Sequence, residues 1–374
     1  MNHTNMTKIK KVIISGGGTG GHIFPALAIA QALQAIDPTI ELLFVGAKGK
    51  IEETKVPEAG YKIKLIDIRG FQRKLSFENI INVFRLIKSI IRCRKIIRQF
   101  KPDAVVGVGG YASGPVGYVA ARKKIPVLIQ EQNSYPGITN KILSKRAQKI
   151  CVAYHEMERF FPKEKIIFTG NPVRKKISDT DALREEVLSF FGLEPERKVI
   201  LSLGGSGGAR SINEGIKAKL KELSESGVYL IWQTGAKYLK DAENALQEHK
   251  CENIKVFDFI ARMDLAYKAA DVVISRAGAG TISELSLLEK ASILVPSPNV
   301  AEDHQTKNAN ALVKIDAAIL IKDNETNEKL ISEALKLVND KERIMRLSQN
   351  IAKEKVKDSD VIIAQEVLKM IKNS

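Results

Sequence analysis

Between a strand-like run and a helical one, the segment KVIISGGGTGGHIFPALAIA (residues 11–30) carries five glycines and a threonine, with His22 at the end of the loop. Glycine lets the backbone come close to a ligand, and the helix start behind it presents unpaired N–H groups with roughly half a positive charge. An anion fits there. Gly16-x-Gly18-x-x-Gly21 matches the dinucleotide fingerprint, but that motif also asks for an acidic residue at the end of the second strand. The chain has Phe44, Val45, Gly46, Ala47 and Lys48 there, which argues against a dehydrogenase. Gly16 and Gly21 also have P-loop spacing, yet His22 and Ile23 stand where that loop needs Lys and Ser/Thr, which argues against ATP or GTP hydrolysis. Anion binding survives both tests. An imidazole titrates near neutral pH and could take a proton from a nucleophile, although an isolated histidine also caps helices or packs in cores.

A second such loop, KVILSLGGSGGAR, opens residues 198–210. Two matching strand–glycine–helix units suggest two phosphate-facing loops. The elements that must carry them follow one rhythm. Runs rich in Val, Ile and Leu at 11–15, 40–46, 61–67, 103–109, 125–130 and 149–154 alternate with amphipathic stretches. After a pause near residues 170–186 the rhythm resumes with runs at 198–204, 228–235, 253–260, 271–278, 291–297 and 317–323. Continuous apolar strands separated by helices predict parallel sheets buried on both faces, in two doubly wound Rossmann-like α/β domains. The expected domains are 1–172 and 173–355, with the helical stretch 356–374 crossing back to the first.

Composition narrows the classes. The 374 residues are 44% hydrophobic and 27% charged, as in a soluble globular protein. The polar start MNHTNMTKIKK shows no secretory h-region, and the uncharged run Ala104–Ala121 is broken by glycines and Pro115, so neither a signal peptide nor a spanning helix is expected. Cys93, Cys151 and Cys251 form neither a disulfide framework nor a metal motif, which suits a reducing cytoplasm. A net charge of +16 points to an anionic partner: nucleic acid, acidic lipid or a phosphorylated ligand. With 6% aromatics, one tryptophan and no groove-reading module, no nucleic acid is expected.

Seven motifs then occur in order: GGGTGGHIFPALAIA (16–30), GVGGYASGP (107–115), EQNSYPGITN (131–140), GNPVR (170–174), GGSGGAR (204–210), SRAGAGTISE (275–284) and EDHQTKNA (302–309). Over roughly residues 8–370 the chain resembles the MurG family, the bacterial UDP-N-acetylglucosamine:lipid I N-acetylglucosaminyltransferases of peptidoglycan synthesis. The resemblance implies a GT-B fold, with two sheets facing across a cleft. It also implies a metal-independent, inverting transfer to the 4-hydroxyl of a muramoyl sugar, and no cofactor. A UDP-N-acetylglucosamine epimerase of the same architecture is the alternative, and an inactive membrane scaffold a third reading.

By the same resemblance, His22, Asn133 and Glu284 are the catalytic candidates, with His22 either the base or a ligand of the acceptor's diphosphate. Thr19, Gly20, Gly21, Asn133, Arg174 and Ser206 would meet UDP-N-acetylglucosamine, the last two at its diphosphate. Ile260 would read the uracil edge through its backbone, Ala279, Gly280, Thr281, Ile282 and Ser283 would line the nucleotide, Glu284 would hold the ribose and Gln305 the sugar. Gly18 and Tyr111 would contact the acceptor, lipid I, an undecaprenyl-diphosphate-linked muramoyl pentapeptide. Asp179-Thr180-Asp181, ahead of a helix, reads as an N-cap and not as a metal clamp.

Part of the charge lies in FENIINVFRLIKSIIRCRKIIRQFK, residues 77–101. Ile80, Val83, Phe84, Ile87, Ile90 and Ile91 recur at helical spacing beside the stripe Arg85, Lys88, Arg92 and Lys95. The apolar stripe is expected to face the sheet, leaving Phe71, Leu75, Phe77 and Ile81 for lipid and Arg85, Lys88 and Arg92 for an anionic membrane surface. A polyprenyl-linked acceptor would place the protein peripherally, on the cytoplasmic face of the bacterial plasma membrane.

Overall fold

Strands rich in Val and Ile pair side by side wherever both faces are covered, and here they do so twice. The computed structural model describes residues 9–70, 77–173, 177, 180–205 and 207–373. The chain folds as two units: residues 1–173 with 356–374, and residues 174–355.

In the first unit the strands are β1 (Lys11–Ser15), β2 (Glu41–Ala47), β3 (Ile63–Ile66), β4 (Ala104–Gly107), β5 (Val127–Glu131), β6 (Lys149–Val152) and β7 (Ile166–Phe168). They form one parallel sheet in the order β3-β2-β1-β4-β5-β6-β7. In the second unit β8 (Val199–Leu203), β9 (Tyr229–Gln233), β10 (Ile254–Phe257), β11 (Val272–Ser275), β12 (Ser292–Leu294) and β13 (Ile319–Leu320) run parallel in the order β10-β9-β8-β11-β12-β13. The strand order reverses beside β1 and beside β8, the two strands that run into glycine-rich loops. Ligands of doubly wound sheets bind outside the strand C-termini at such switch points.

β7 was not anticipated from the sequence. It is three residues long and only half-buried, too short and too exposed to show as an apolar run. The helix Gly20–Ile36 is apolar on most sides because it is covered twice. Ile23, Ala26, Ile29, Ala30 and Leu33 share one core with Ile363, Ala364, Val367 and Met370 of the last helix, Ser359–Lys372.

Two expectations need correction. In the helix Phe77–Phe100, the inward face is Asn82, Ser89, Cys93, Ile96 and Ile97, all buried. The apolar stripe instead faces solvent, with Phe84 62%, Ile87 50% and Ile91 58% exposed. The polar residues tolerate burial because they have partners: Asn82 Nδ2 donates to Gly70 O at 3.0 Å and Ser89 Oγ to Asp67 O at 2.9 Å. Asp181 does not cap the helix Arg184–Phe190, whose N-cap position is Leu183; the Leu183 N–H donates to Glu186 Oε2 at 3.1 Å. Asp179, Phe71, Leu75, Arg174 and Ser206 lie outside the described residues, and of Phe77 only the backbone is described.

Candidate active site

The first unit gathers its candidates at the C-terminal ends of β1, β4 and β5. Gly18 and Thr19 lie in the loop after β1, and Gly20, Gly21 and His22 form the first turn of the helix that follows. Thr19 Oγ1 lies 3.0 Å from His22 Nδ1, so one imidazole nitrogen is held by its own loop. The other edge of the ring lies against Gly109 in the loop after β4. A Cβ at Gly109 would come within 2.9 Å of His22 Nε2. These two loops touch through backbone, since a Cβ at Gly110 would stand 2.3 Å from Gly17 O. Only glycine allows that approach, and Gly110 also has φ 79°.

Beneath the loop sits Glu52, fully buried, whose carboxylate accepts from Gly18 N at 2.7 Å and from Ala47 N at 2.9 Å. It was not picked out in the sequence. The dinucleotide fingerprint asks for an acidic residue at the end of the second strand; the one present comes five residues after Ala47, from the helix Glu52–Glu58, and holds the loop itself.

Asn133 follows β5, where Glu131 takes up its amides: Asn133 N donates to Glu131 Oε1 at 3.0 Å and Asn133 Nδ2 at 3.2 Å. Asn140 Nδ2 and Gly137 N reach the other oxygen at 2.8 and 3.2 Å. Burial pushes the Glu131 carboxyl above its ordinary value, and these N–H donors pull it back. A carboxamide neither gives nor takes a proton at neutral pH, so the chemistry open to Asn133 is hydrogen bonding. Tyr111 is half-exposed, its ring lying over Gly70, where a Cβ would meet the phenol oxygen at 2.2 Å.

The second unit repeats the plan. After β8 comes the loop 204–209, with Gly205 and Gly208 at φ 77° and 75°. After β11 the helix Ala279–Leu287 begins at Gly278 with no acidic residue in its first turn, so its positive end is not neutralised locally. Ala279, Gly280 and Thr281 form that turn, while Ile282 is buried and brings only its backbone. Ser283 Oγ donates back to Ala279 O at 2.9 Å. The Glu284 carboxylate accepts from the buried Tyr267 hydroxyl at 3.0 Å, which aims it. Gln305 Oε1 accepts from Ser297 N at 2.8 Å, which fixes the oxygen and NH2 ends of that amide. The buried Ile260 donates its N–H to Gln233 Oε1 at 3.0 Å.

Arg276 ties the surrounding loops together. Its guanidinium donates to Val295 O at 3.1 Å, to Ser211 Oγ at 3.0 Å and to Asp323. Gln233, Tyr267 and Arg276 are supporting residues that spacing in the sequence could not single out. No three His, Cys, Asp or Glu side chains cluster as a metal set among the described residues.

Residues 12–152 match the Glycosyltransferase family 28 N-terminal domain, and residues 199–362 the Glycosyltransferase family 28 C-terminal domain. The chain belongs to glycosyltransferase family 28. This family 28 enzyme is 54% identical over 361 residues, 96% of its length and 98% of the relative's, to the UDP-N-acetylglucosamine–N-acetylmuramyl-(pentapeptide) pyrophosphoryl-undecaprenol N-acetylglucosamine transferase of Parabacteroides distasonis. It is 48% identical to the Flavobacterium psychrophilum protein of the same name, covering 97% of this chain and 98% of that one. Among solved structures it is similar to Acinetobacter baumannii MurG, with TM-score 0.80, 29% identity, and 96% and 99% of the two chains covered. The family 28 fold here is GT-B, built from two Rossmann-like domains. A UDP-GlcNAc 2-epimerase from Neisseria meningitidis has TM-score 0.65 at 17% identity, covering 96% of this chain and all of that one, a likeness of fold alone.

Proposed function

We propose that the protein transfers N-acetylglucosamine from UDP-N-acetylglucosamine to the 4-hydroxyl of the muramoyl sugar of lipid I, giving lipid II. The observation that carries the reading is the full-length likeness to transferases named for this reaction, with both family 28 domains present.

The chemistry follows from the site. A sugar hydroxyl attacking the anomeric carbon must lose its proton as the bond forms. His22 acts as the base through Nε2 in the tautomer whose Nδ1–H donates to Thr19 Oγ1. The departing UDP carries new negative charge. The glycine loop after β8 and the helix start at Ala279 are the segments assigned to that charge, with Arg174 and Ser206 at the diphosphate. Glu284 takes the ribose hydroxyls, Gln305 the sugar and Ile260 the uracil edge. With the Ile260 N–H given to Gln233, its carbonyl is the group that meets the base. Gly18 and Tyr111 are assigned to the acceptor, on the unit whose glycine loop suits a diphosphate, and Thr19, Gly20, Gly21 and Asn133 of the same unit to UDP-N-acetylglucosamine.

The deciding experiment mixes the protein with both substrates in excess EDTA and follows UDP and disaccharide-linked lipid. Acceptor-dependent turnover is expected. UDP released without acceptor would move the assignment to an epimerase or hydrolase, and donor binding without turnover to a scaffold. Glu284→Ala is expected to lower kcat/KM for the donor about 10–100-fold, the range of a lost charge-assisted hydrogen bond. Tyr267→Phe, which removes one hydrogen bond to that carboxylate, should lose less than Glu284→Ala. An unchanged donor KM in Glu284→Ala would remove Glu284 from the ribose.

The reading extends to the membrane. No helix among the described residues is long and apolar enough to cross a bilayer. The helix Phe77–Phe100 instead exposes Ile80, Ile81, Phe84, Ile87 and Ile91 beside Lys88, Arg92 and Lys95. Arg85 is partly spent, donating to Asn82 Oδ1 at 3.1 Å and lying 3.8 Å from Asp67. We assign this face to the anionic cytoplasmic surface of the plasma membrane, as a peripheral contact. Each large apolar side chain buried in lipid contributes ~1.5–3 kcal/mol, and each surface cation ~1 kcal/mol. Phe84→Ser with Ile87→Ser should therefore cut binding to phosphatidylglycerol vesicles at least about tenfold. Equal sedimentation of variant and wild type would refute the assignment.

A further inference from the structure

Gln233 is the last residue of β9, paired in register with Leu203 at the end of β8 and Phe257 at the end of β10. The glycine-rich loop starts one residue beyond Leu203, and the turn that carries Ile260 starts one residue beyond Phe257. The buried Gln233 carboxamide spans the two. Nε2 donates to Gly205 O at 3.0 Å, and Oε1 accepts from Ile260 N at 3.0 Å. The backbone next to it is clamped as well: Thr234 N donates to Phe257 O at 2.9 Å and Gly235 N to Asp258 O at 3.1 Å. On the other side a Cβ at Gly208 would stand 2.0 Å from Thr234 O, so the glycine loop presses directly on the strand end.

An amide gives a donor and an acceptor from one rigid plane, which neither a carboxylate nor a hydroxyl does at that reach. We infer that Gln233 is a positioning residue for a nucleoside diphosphate, fixing the separation between the loop that takes the diphosphate and the turn that meets the base. The inference rests on the reading above for which segment takes which part of the donor. Its consequence is that of a linked pair of weak sites. A ligand carrying both base and diphosphate gains from having both subsites pre-set, whereas a fragment that fills one subsite gains nothing from their separation.

The test titrates uridine, UMP, UDP, ADP, GDP and inorganic pyrophosphate into wild type, Gln233→Met and Gln233→Glu, with thermal unfolding alongside. Met matches the volume and removes both hydrogen bonds. For Gln233→Met, the Kd of UDP should rise about 10–50-fold while uridine and pyrophosphate change less than about threefold. Gln233→Glu keeps an acceptor for the Ile260 N–H but sets a carboxylate against Gly205 O. Uridine should bind it as it binds wild type, and UDP at least as weakly as it binds Gln233→Met.

An unchanged UDP affinity in Gln233→Met overturns the inference. So does an equal loss for UDP and both fragments with a lowered unfolding temperature, which marks a merely structural residue. Wild-type preference for ADP or GDP, with the same fragment pattern in the variants, would sink the uridine assignment and keep the positioning role. Failure of wild type to bind any nucleoside diphosphate would overturn both.

Discussion

His22→Ala is expected to lower acceptor-dependent transfer by about 10²–10⁴-fold, the usual contribution of a positioned acid or base. The Kd of UDP itself should stay within about twofold, because the segments assigned to the nucleoside and its diphosphate belong to the other unit. Removing the imidazole costs its bond to Thr19 Oγ1 but leaves the loop's backbone bonds, His22 N to Thr19 O and Gly18 N to Glu52. The kinetic pattern separates its two possible roles. As base, its loss lowers kcat and leaves KM for lipid I unchanged. As a ligand of the acceptor's diphosphate, its loss raises KM for lipid I and spares kcat. Wild-type kinetics in the variant would exclude both.

Gly110→Ala is the second large effect, and it acts through the backbone. An L-residue at φ 79° costs about 1–2 kcal/mol. The added Cβ would stand 2.3 Å from Gly17 O, where no flexible side chain can give way, and overpacking of this kind costs about 1–3 kcal/mol more. Against a whole-domain stability of roughly 5–15 kcal/mol, the sum is a large share. We expect the unfolding temperature of the first unit to fall by about 5–15 °C and transfer to be lost as the His22 loop shifts. UDP binding by the second unit should persist. An unchanged unfolding temperature with normal transfer would mean that the two loops do not meet as described.

Much of the fold was readable because the strands are continuous Val/Ile runs that only a doubly covered sheet explains. β7 escaped because Ile166–Phe168 lies half-exposed at the sheet edge, where little apolar sequence is needed. The helix Phe77–Phe100 misled for a different reason. Periodicity identifies an apolar face but not what covers it, and here Asn82 and Ser89 turn inward because two backbone carbonyls receive them. Within the site, glycines and His22 were visible because their chemistry is local. Glu52, Gln233 and Tyr267 act on residues 34, 27 and 17 positions away, separations that no motif encodes.

The helix Ser359–Lys372 completes the core under His22's helix, yet a ribosome makes it only after the whole of the second unit. The first unit therefore waits, one flank uncovered, while residues 174–355 are synthesised, on the order of ten to forty seconds at common elongation rates. During that interval Ile29, Ala30 and Leu33 lack their partners, and a nascent chain released early carries a finished second unit beside an unfinished first. A premature stop ahead of Ser359 would thus injure the unit whose strands are translated before those of the other.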